Sequence, residues 1–318
     1  MRVAGAITIA GTALWLPDEV YSASEAQTAG SVTAADSEGE LIGRLPVADI
    51  APPRMARLAA QRALEHAGVT AAEVGLLVHA WVFDQGPQTW TPPHRVAREL
   101  GARRCAAIGI RQMSNGGAAA MQTAIAHLLA EPRAASALVT TADNFSSLPY
   151  DRWLSVPPLG DGATAVVLTR GPGPQVVESI TTAGDAGMEL HFPTSDPFEP
   201  GAARTAGSPS RQALHAFAAH VRDAAEQALE DAGLDWNDIS SVLLPRLGKT
   251  LVSHLARTGL PAGVADRVVR TGYATGHLGS GDMLANLAEH PGPQKDEHHL
   301  HVSTGAGLTT TCLITRGR

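Results

Sequence analysis

The stretch Arg111-Gln112-Met113-Ser114-Asn115-Gly116-Gly117 lies between an apolar run, Cys105 to Ile110, and an uncharged run, Ala118 to Ala130. The first run reads as a short buried strand and the second, rich in helix formers, as a buried helix. Ser114 is therefore expected at a sharp strand-to-helix junction with two glycines behind it. Glycines let the backbone turn tightly and let a ligand approach closely. A helix N-terminus adds unpaired N–H groups and the positive end of the dipole. Such a junction suits a nucleophile and the oxyanion it creates, although Ser is also a common helix N-cap. The pattern is not the G-x-S-x-G elbow, because Gln112 stands where the first Gly belongs, and not S-x-x-K, because Gly117 holds the Lys position.

Outward from this stretch the chain repeats itself. Ala59-Ala60-Gln61-Arg62-Ala63-Leu64-Glu65-His66-Ala67-Gly68 aligns with Ala224-Ala225-Glu226-Gln227-Ala228-Leu229-Glu230-Asp231-Ala232-Gly233 at an offset of 165 residues. Each copy leads through a short polar link into an apolar strand, Val74–Val78 or Ile239–Leu244. Both halves close alike, on Val166-Val167-Leu168-Thr169-Arg170 and Cys312-Leu313-Ile314-Thr315-Arg316. Two α/β halves, 1–170 and 171–318, with a pseudo-two-fold axis explain this better than a solenoid, which needs more and shorter repeats. Alternating helices and strands imply mostly parallel sheets covered on both faces. Residues 22 to 49 are polar and weakly patterned and read as a surface excursion.

Composition narrows the class. With 318 residues and 44% hydrophobic content the chain can bury two layered units. A net charge of −7 with only two lysines, Lys249 and Lys295, argues against a general nucleic-acid binder. Cys105 and Cys312 sit in apolar runs and fit buried thiols of a reducing compartment, without metal-ligand spacing. No apolar run approaches membrane-spanning length, so a cytoplasmic protein with no membrane partner is expected.

The duplication predicts a second junction, and the offset carries Ser114 to Gly279, within Gly272-Tyr273-Ala274-Thr275-Gly276-His277-Leu278-Gly279-Ser280-Gly281-Asp282. Across a pseudo-axis this brings Ser114 near His277 and Asp282. Serine needs a base to take its proton, imidazole is the usual one, and a carboxylate can hold its tautomer. Taken singly, His277 reads as a polar loop residue and Asp282 as an acid at a helix start. Together the three predict a catalytic set. The oxyanion needs two donors, expected at the Ser114 N–H and at the turn Thr304-Gly305-Ala306-Gly307-Leu308, through Ala306 beside Gly305. His191, Arg246 and Asn115 are possible pocket residues, His191 being also an alternative base. His298, His299 and His301 read as surface histidines. No cofactor and no structural metal are expected.

These stretches together resemble the thiolase superfamily, and within it the ketoacyl synthase III branch. Ile7-Thr8-Ile9-Ala10-Gly11 through Leu16-Pro17 is similar to the opening strand, Leu159-Gly160-Asp161-Gly162-Ala163-Thr164-Ala165 to the G-D-G-A-x-A segment, and Gly305-Ala306-Gly307-Leu308 to the closing turn. The resemblance implies a five-layered αβαβα sandwich, a homodimer, and an acyl-CoA or acyl-carrier-protein donor. It also implies a phosphopantetheine-linked acyl group as substrate and a small-molecule or carrier-protein acceptor. The family's condensing enzymes use Cys, His and Asn, whereas Ser114, Arg246 and His277 stand at those positions here. The expectation drawn from this departure is an acyltransferase of polyketide or related biosynthesis, working through a Ser-His-Asp set and a covalent acyl-enzyme. The alternatives are a starter-unit condensing enzyme and a catalytically silent partner subunit.

Overall fold

The computed structural model describes residues 1–191 and 210–318. In chain order the elements are β1 (Arg2–Trp15), β2 (Val20–Ser22), α1 (Ala23–Thr28), α2 (Ala34–Glu40), β3 (Arg44–Pro46), α3 (Pro52–Ala67), β4 (Val74–Ala80), α4 (Pro92–Leu100), β5 (Ala106–Ile110), α5 (Gly116–Ala130), β6 (Ser136–Asp143) and β7 (Gly162–Arg170). They continue with β8 (Gln175–Gly184), α6 (Arg211–Ala232), β9 (Ile239–Leu243), α7 (Gly248–Gly259), α8 (Ala262–Ala265), β10 (Val268–Val269), α9 (Asp282–Glu289), β11 (His298–Gly305) and β12 (Thr309–Gly317).

The internal repeat reappears as one local structure built twice. Helices α3 and α6 both end on a left-handed glycine, Gly68 with φ 63° and Gly233 with φ 73°. Glycine takes that conformation without a Cβ clash and closes the helix. A capping box follows each, Thr70 with Glu73 and Asp235 with Asp238, and sets the chain into β4 or β9.

The sheet has ten strands in the order β10-β9-β11-β12-β8-β1-β7-β6-β4-β5. Counted within each half, both wings run third, second, fourth, fifth, first. They meet where β1 pairs with β8, at Arg2 with Ser179 and Ile7 with Val177. The division of the chain proposed near residue 170 falls between β7 and β8. Helices α3 and α4 cover one face of the first wing, and α6, with α7 packed against it, covers the second. Helices α5 and α9 fill the layer between the wings, α5 on β4 and β6 and α9 on β1 and β11. The fold is a thiolase-like α/β sandwich of five layers.

Three expectations are corrected. The sheet is mixed, not mostly parallel: only β4 with β5 and β6, and β9 with β10 and β11, are parallel. Helical crossovers make those pairs, whereas β11 and β12 are joined by a short link that returns the chain as an antiparallel neighbour, and β1 runs antiparallel to both β7 and β8 between them. Strand β5 is not buried but an edge strand, with Ile108 41% exposed. The polar segment 22–49 carries α1, α2 and β3. It also closes a small core of its own, in which Ala26, Ile42 and Leu45 pack with Trp153. No helix among the described residues is long and apolar enough to cross a membrane.

Candidate active site

After β5 the chain passes through Met113, held at φ 46°, and reaches Ser114 just before α5. Positive φ costs a side-chain-bearing residue energy, and such strain gathers at functional turns. Asn115, not Ser114, holds the N-cap position, and it makes no side-chain cap bond. The Ser114 hydroxyl is therefore left for another partner, His277 Nε2, at 2.7 Å.

His277 arrives on a loop clamped from below. Its N–H donates to the Pro158 carbonyl at 2.9 Å, and its carbonyl accepts from Gly160 N–H at 3.0 Å. Only glycine fits at 160, since a Cβ there would stand 1.9 Å from the Thr275 carbonyl oxygen. Asp161 anchors the clamp by accepting from Ala48 N–H, Phe145 N–H and Arg152 Nη1, each at 2.8 Å. The two junctions touch where Gly117 meets Ser280: a Cβ on Gly117 would lie 2.3 Å from the Ser280 carbonyl oxygen. Ala-rich α5 can occupy this central layer because its buried positions, from Gly116 and Gly117 to Ile125 and Leu128, are all apolar or glycine.

His277 Nδ1 bonds Asp282 Oδ2 at 2.6 Å, and Asp282 Oδ1 accepts from Leu278 N–H at 2.9 Å. With Nδ1–H donating to the carboxylate, Nε2 is the acceptor for the Ser114 hydroxyl. Burial pulls the His277 imidazole down, but the charge and hydrogen bond of Asp282, aided by Asp143, outweigh it and raise it above its ordinary value. Burial pushes Asp282 up, yet the charge and hydrogen bond of His277, the Leu278 N–H and the Arg246 charge leave it lowered. A ring that accepts a proton does so in its neutral form, so if His277 serves as a base its raised value would put the gain of activity on the alkaline side of the ordinary imidazole range. Asp282→Asn removes the strongest upward pull and presents an amide to Nδ1. We expect a lower rate, with the rise of the pH–rate profile moved to lower pH, measured as kcat/KM against pH.

Ser114 and His277 stand at the floor of a cavity of about 210 Å³. Thr304, Gly305 and Ala306 line the same floor, and Val156, Pro157, Leu247, Leu251 and Leu255 form apolar walls. Gly305 is pressed against the Ser114 turn: a Cβ there would stand 2.7 Å from Asn115 N.

The three possible pocket residues do not line this cavity. Arg246 is turned away, donating from its backbone N–H to Asp282 Oδ2 at 2.8 Å, from Nε to Asn286 Oδ1 at 3.0 Å and from Nη2 to Glu289 Oε2 at 2.5 Å. A buried guanidinium is stable only where such acceptors surround it. Asn115 donates to Gln112 Oε1 and Thr311 Oγ1, at 2.9 and 3.0 Å. His191 ends a one-turn helix, Ala186–His191, and Phe192 and Pro193 of its stretch lie outside the described residues. His299 and His301 are buried in β11, not at the surface, and burial pulls them down to about 4 and about 3. Among the described residues no group of three or more His, Cys, Asp or Glu is arranged to hold a metal ion.

The family model of 3-oxoacyl-[acyl-carrier-protein] synthase III matches residues 108–184, from within β5 through α5 to the end of β8. A β-ketoacyl-[acyl-carrier-protein] synthase III of Bordetella petrii is 32% identical over 255 residues, 72% of this chain and 74% of that protein. The chain belongs to the ketoacyl synthase III family. A solved structure, ChlB3, described as an acyltransferase, is 31% identical and superposes with a TM-score of 0.87 over 98% of both chains. The synthase III of Aquifex aeolicus, 21% identical, shares the fold with a TM-score of 0.82 over 98% of this chain and 99% of its own.

Family membership corrects the enzyme class expected from the sequence. The Ser-His-Asp acyltransferase with a covalent acyl-enzyme is overturned as a class by the curated relatives, which carry the name of the condensing synthase III, an activity the family performs with Cys, His and Asn. A hydrogen-bonded chain of three side chains is a geometry, and it does not by itself choose the reaction. Enzymes of this family act on acyl-CoA and acyl-carrier-protein substrates.

Sequence reasoning missed Asp143 and His79. Asp143, at the end of β6, is wholly buried behind the His277 loop. His79 is buried beneath Trp81, bonded to Thr140 Oγ1 at 2.9 Å and to Gln85 Oε1 at 3.2 Å, and burial pulls it down to about 4. The single signal for Asp143 was its place where an apolar strand ends in a loop.

Proposed function

We propose that the chain is a starter-unit enzyme of the synthase III type, which takes the acyl group of a CoA or carrier-protein thioester and joins it to a carrier-bound carbon acceptor. The observation that carries this reading is the apolar cavity ending on Ser114 and His277 in a chain of the synthase III family. As the acyl carbonyl is attacked, its oxygen gains negative charge. The backbone N–H groups of Ser114 and Ala306 are the donors that would meet it; loss of carbon dioxide from the carrier-bound malonyl group supplies the electron pair of the new carbon–carbon bond, the carbon–sulfur bond of the acyl thioester breaks, and His277 is the group that would move a proton to the departing thiolate. The test is turnover of a panel of acyl-CoAs with malonyl-carrier protein, read by mass spectrometry for the decarboxylated, carbon-elongated product.

A second acceptor is favoured by one observation. ChlB3, an acyltransferase, covers 98% of this chain at 31% identity. In that reading the acyl group passes to a hydroxyl, an amine or a carrier thiol. Ester, amide or new thioester in the same assay, without loss of carbon dioxide from malonyl-carrier protein, selects it over condensation.

The proposed partner is a second copy. Strand β5, Ala106-Ala107-Ile108-Gly109-Ile110, carries no charge and leaves one edge of the ten-stranded sheet unpaired. Exposed Ile108 and Met113 lie beside it. An uncharged apolar edge is a template for pairing with another strand unless something covers it. Ile108→Arg is expected to convert a dimer to a monomer, read by sedimentation at micromolar concentration; a chain that is monomeric before the substitution removes this proposal.

A further inference from the structure

Asp143 stands where three segments of the site meet. Its Oδ1 accepts from Val82 N–H and Phe83 N–H, both at 2.8 Å, and so fixes the loop after β4. Its Oδ2 accepts from the Ser280 N–H and hydroxyl, both at 3.0 Å, and so fixes the loop between His277 and α9. The loop wraps the carboxylate so closely that a Cβ on Gly279, held at φ 60°, would lie 2.4 Å from Oδ2. Ser280 also donates to the Ala80 carbonyl at 3.2 Å, which ties the same point to the end of β4.

This carboxylate has no cation paired with it among the described residues. A buried carboxylate held only by neutral donors costs more than a solvated one, and a role elsewhere is a reason to keep it. Burial pushes Asp143 up to about 6 against the pull of its four hydrogen bonds. Its charge acts through space on His277, which it does not touch, and raises it. The charged groups around His277 are then Asp282 from α9, in contact, Asp143 from β6, behind the loop, and Arg246, beyond Asp282.

We propose that Asp143 is a positioning residue of the reaction: it pins the His277 loop against the loop after β4, and its negative charge favours the protonated ring that forms when His277 takes a proton. Preorganised charge of this kind acts where water is excluded and needs no rearrangement as the proton moves. The inference rests on the reading of His277 as the proton-moving group, but its test needs no substrate.

The experiment follows the His277 ring in the full chain with ¹³C-labelled histidine and aspartate, its resonance assigned by its absence from His277→Gln. Asp143→Asn is expected to lower the His277 midpoint by a few tenths of a unit to about one unit. An unchanged or raised midpoint in a folded Asp143→Asn protein overturns the proposal, because a purely structural role would change the melting temperature alone. Should that variant not fold, the unsubstituted protein decides. The Asp143 carboxyl carbon and the His277 ring are then expected to share the same two inflections, as coupled groups do. Independent single-step titrations overturn the proposal. Failure of the acyl-thioester reading shows instead as absence of turnover and leaves these curves untouched.

Discussion

His277→Ala is expected to lower kcat by about 10²–10⁴-fold, the range that general acid–base catalysis contributes, and to leave the fold in place, on the reading of His277 as the group that moves a proton. The expectation follows from the geometry. Nε2 is 2.7 Å from Ser114 Oγ, Nδ1 is held by Asp282 at 2.6 Å, and the ring borders the cavity that would receive the acyl group. Among the described residues the one other imidazole lining the cavity is His254, which stands beside Leu251 and Leu255 in the chain and makes no hydrogen bond to Ser114. The measurement is steady-state turnover of the best acyl thioester, with circular dichroism and melting as controls. Loss of less than tenfold would assign the proton transfer to another group. The loop itself should survive, because its backbone is clamped by Pro158 and Gly160, not by the ring.

Gly117→Ala is expected to act against its local propensity. In an exposed helix interior the change stabilises by roughly 1 kcal/mol. Here the new methyl would stand 2.3 Å from the Ser280 carbonyl oxygen and 3.1 Å from Leu284 Cδ1. Backbone cannot give way as a flexible side chain does, so α5 and the Ser280 turn must part. Overpacking of this kind costs about 1–3 kcal/mol, seen as a fall of several degrees in Tm. Since Ser114 lies just before α5 and the turn leads from His277, the same displacement is expected to separate their hydrogen-bonding atoms, and turnover to fall with stability. A stabilised, fully active Gly117→Ala protein would show that the two junctions do not meet as described.

The duplication made much of the site readable before any coordinates. Matching Ala59–Gly68 with Ala224–Gly233 located the second junction, and the structure brings Ser114 to His277 and His277 to Asp282, at sequence separations of 163 and 5. Local rules carried that far: glycines after helices, capping boxes before strands, and apolar runs of strand length. The same rules misread β5 and the histidines of β11. An apolar run looks alike whether neighbours flank it on both sides or on one, and a histidine pair looks polar until a helix is laid over it.

Arg246 and Asp143 mark the other limit. Nothing near Arg246 in sequence announces that it will be buried against Asn286 and Glu289, more than thirty positions away. Asp143 likewise reads as the start of a loop until Val82 and Phe83 from one side and Ser280 from the other converge on it.

By itself, the sequence determined the two-fold α/β organisation, the Ser114 junction and its mirror at Gly279, because these follow from periodicity, turn chemistry and internal repetition along one chain. Only the tertiary structure decided which edge of the sheet is open, which way Arg246 faces, and which second carboxylate lies behind His277. Burial and hydrogen-bond partnership are set by what distant segments bring to the same place, and no local pattern encodes that.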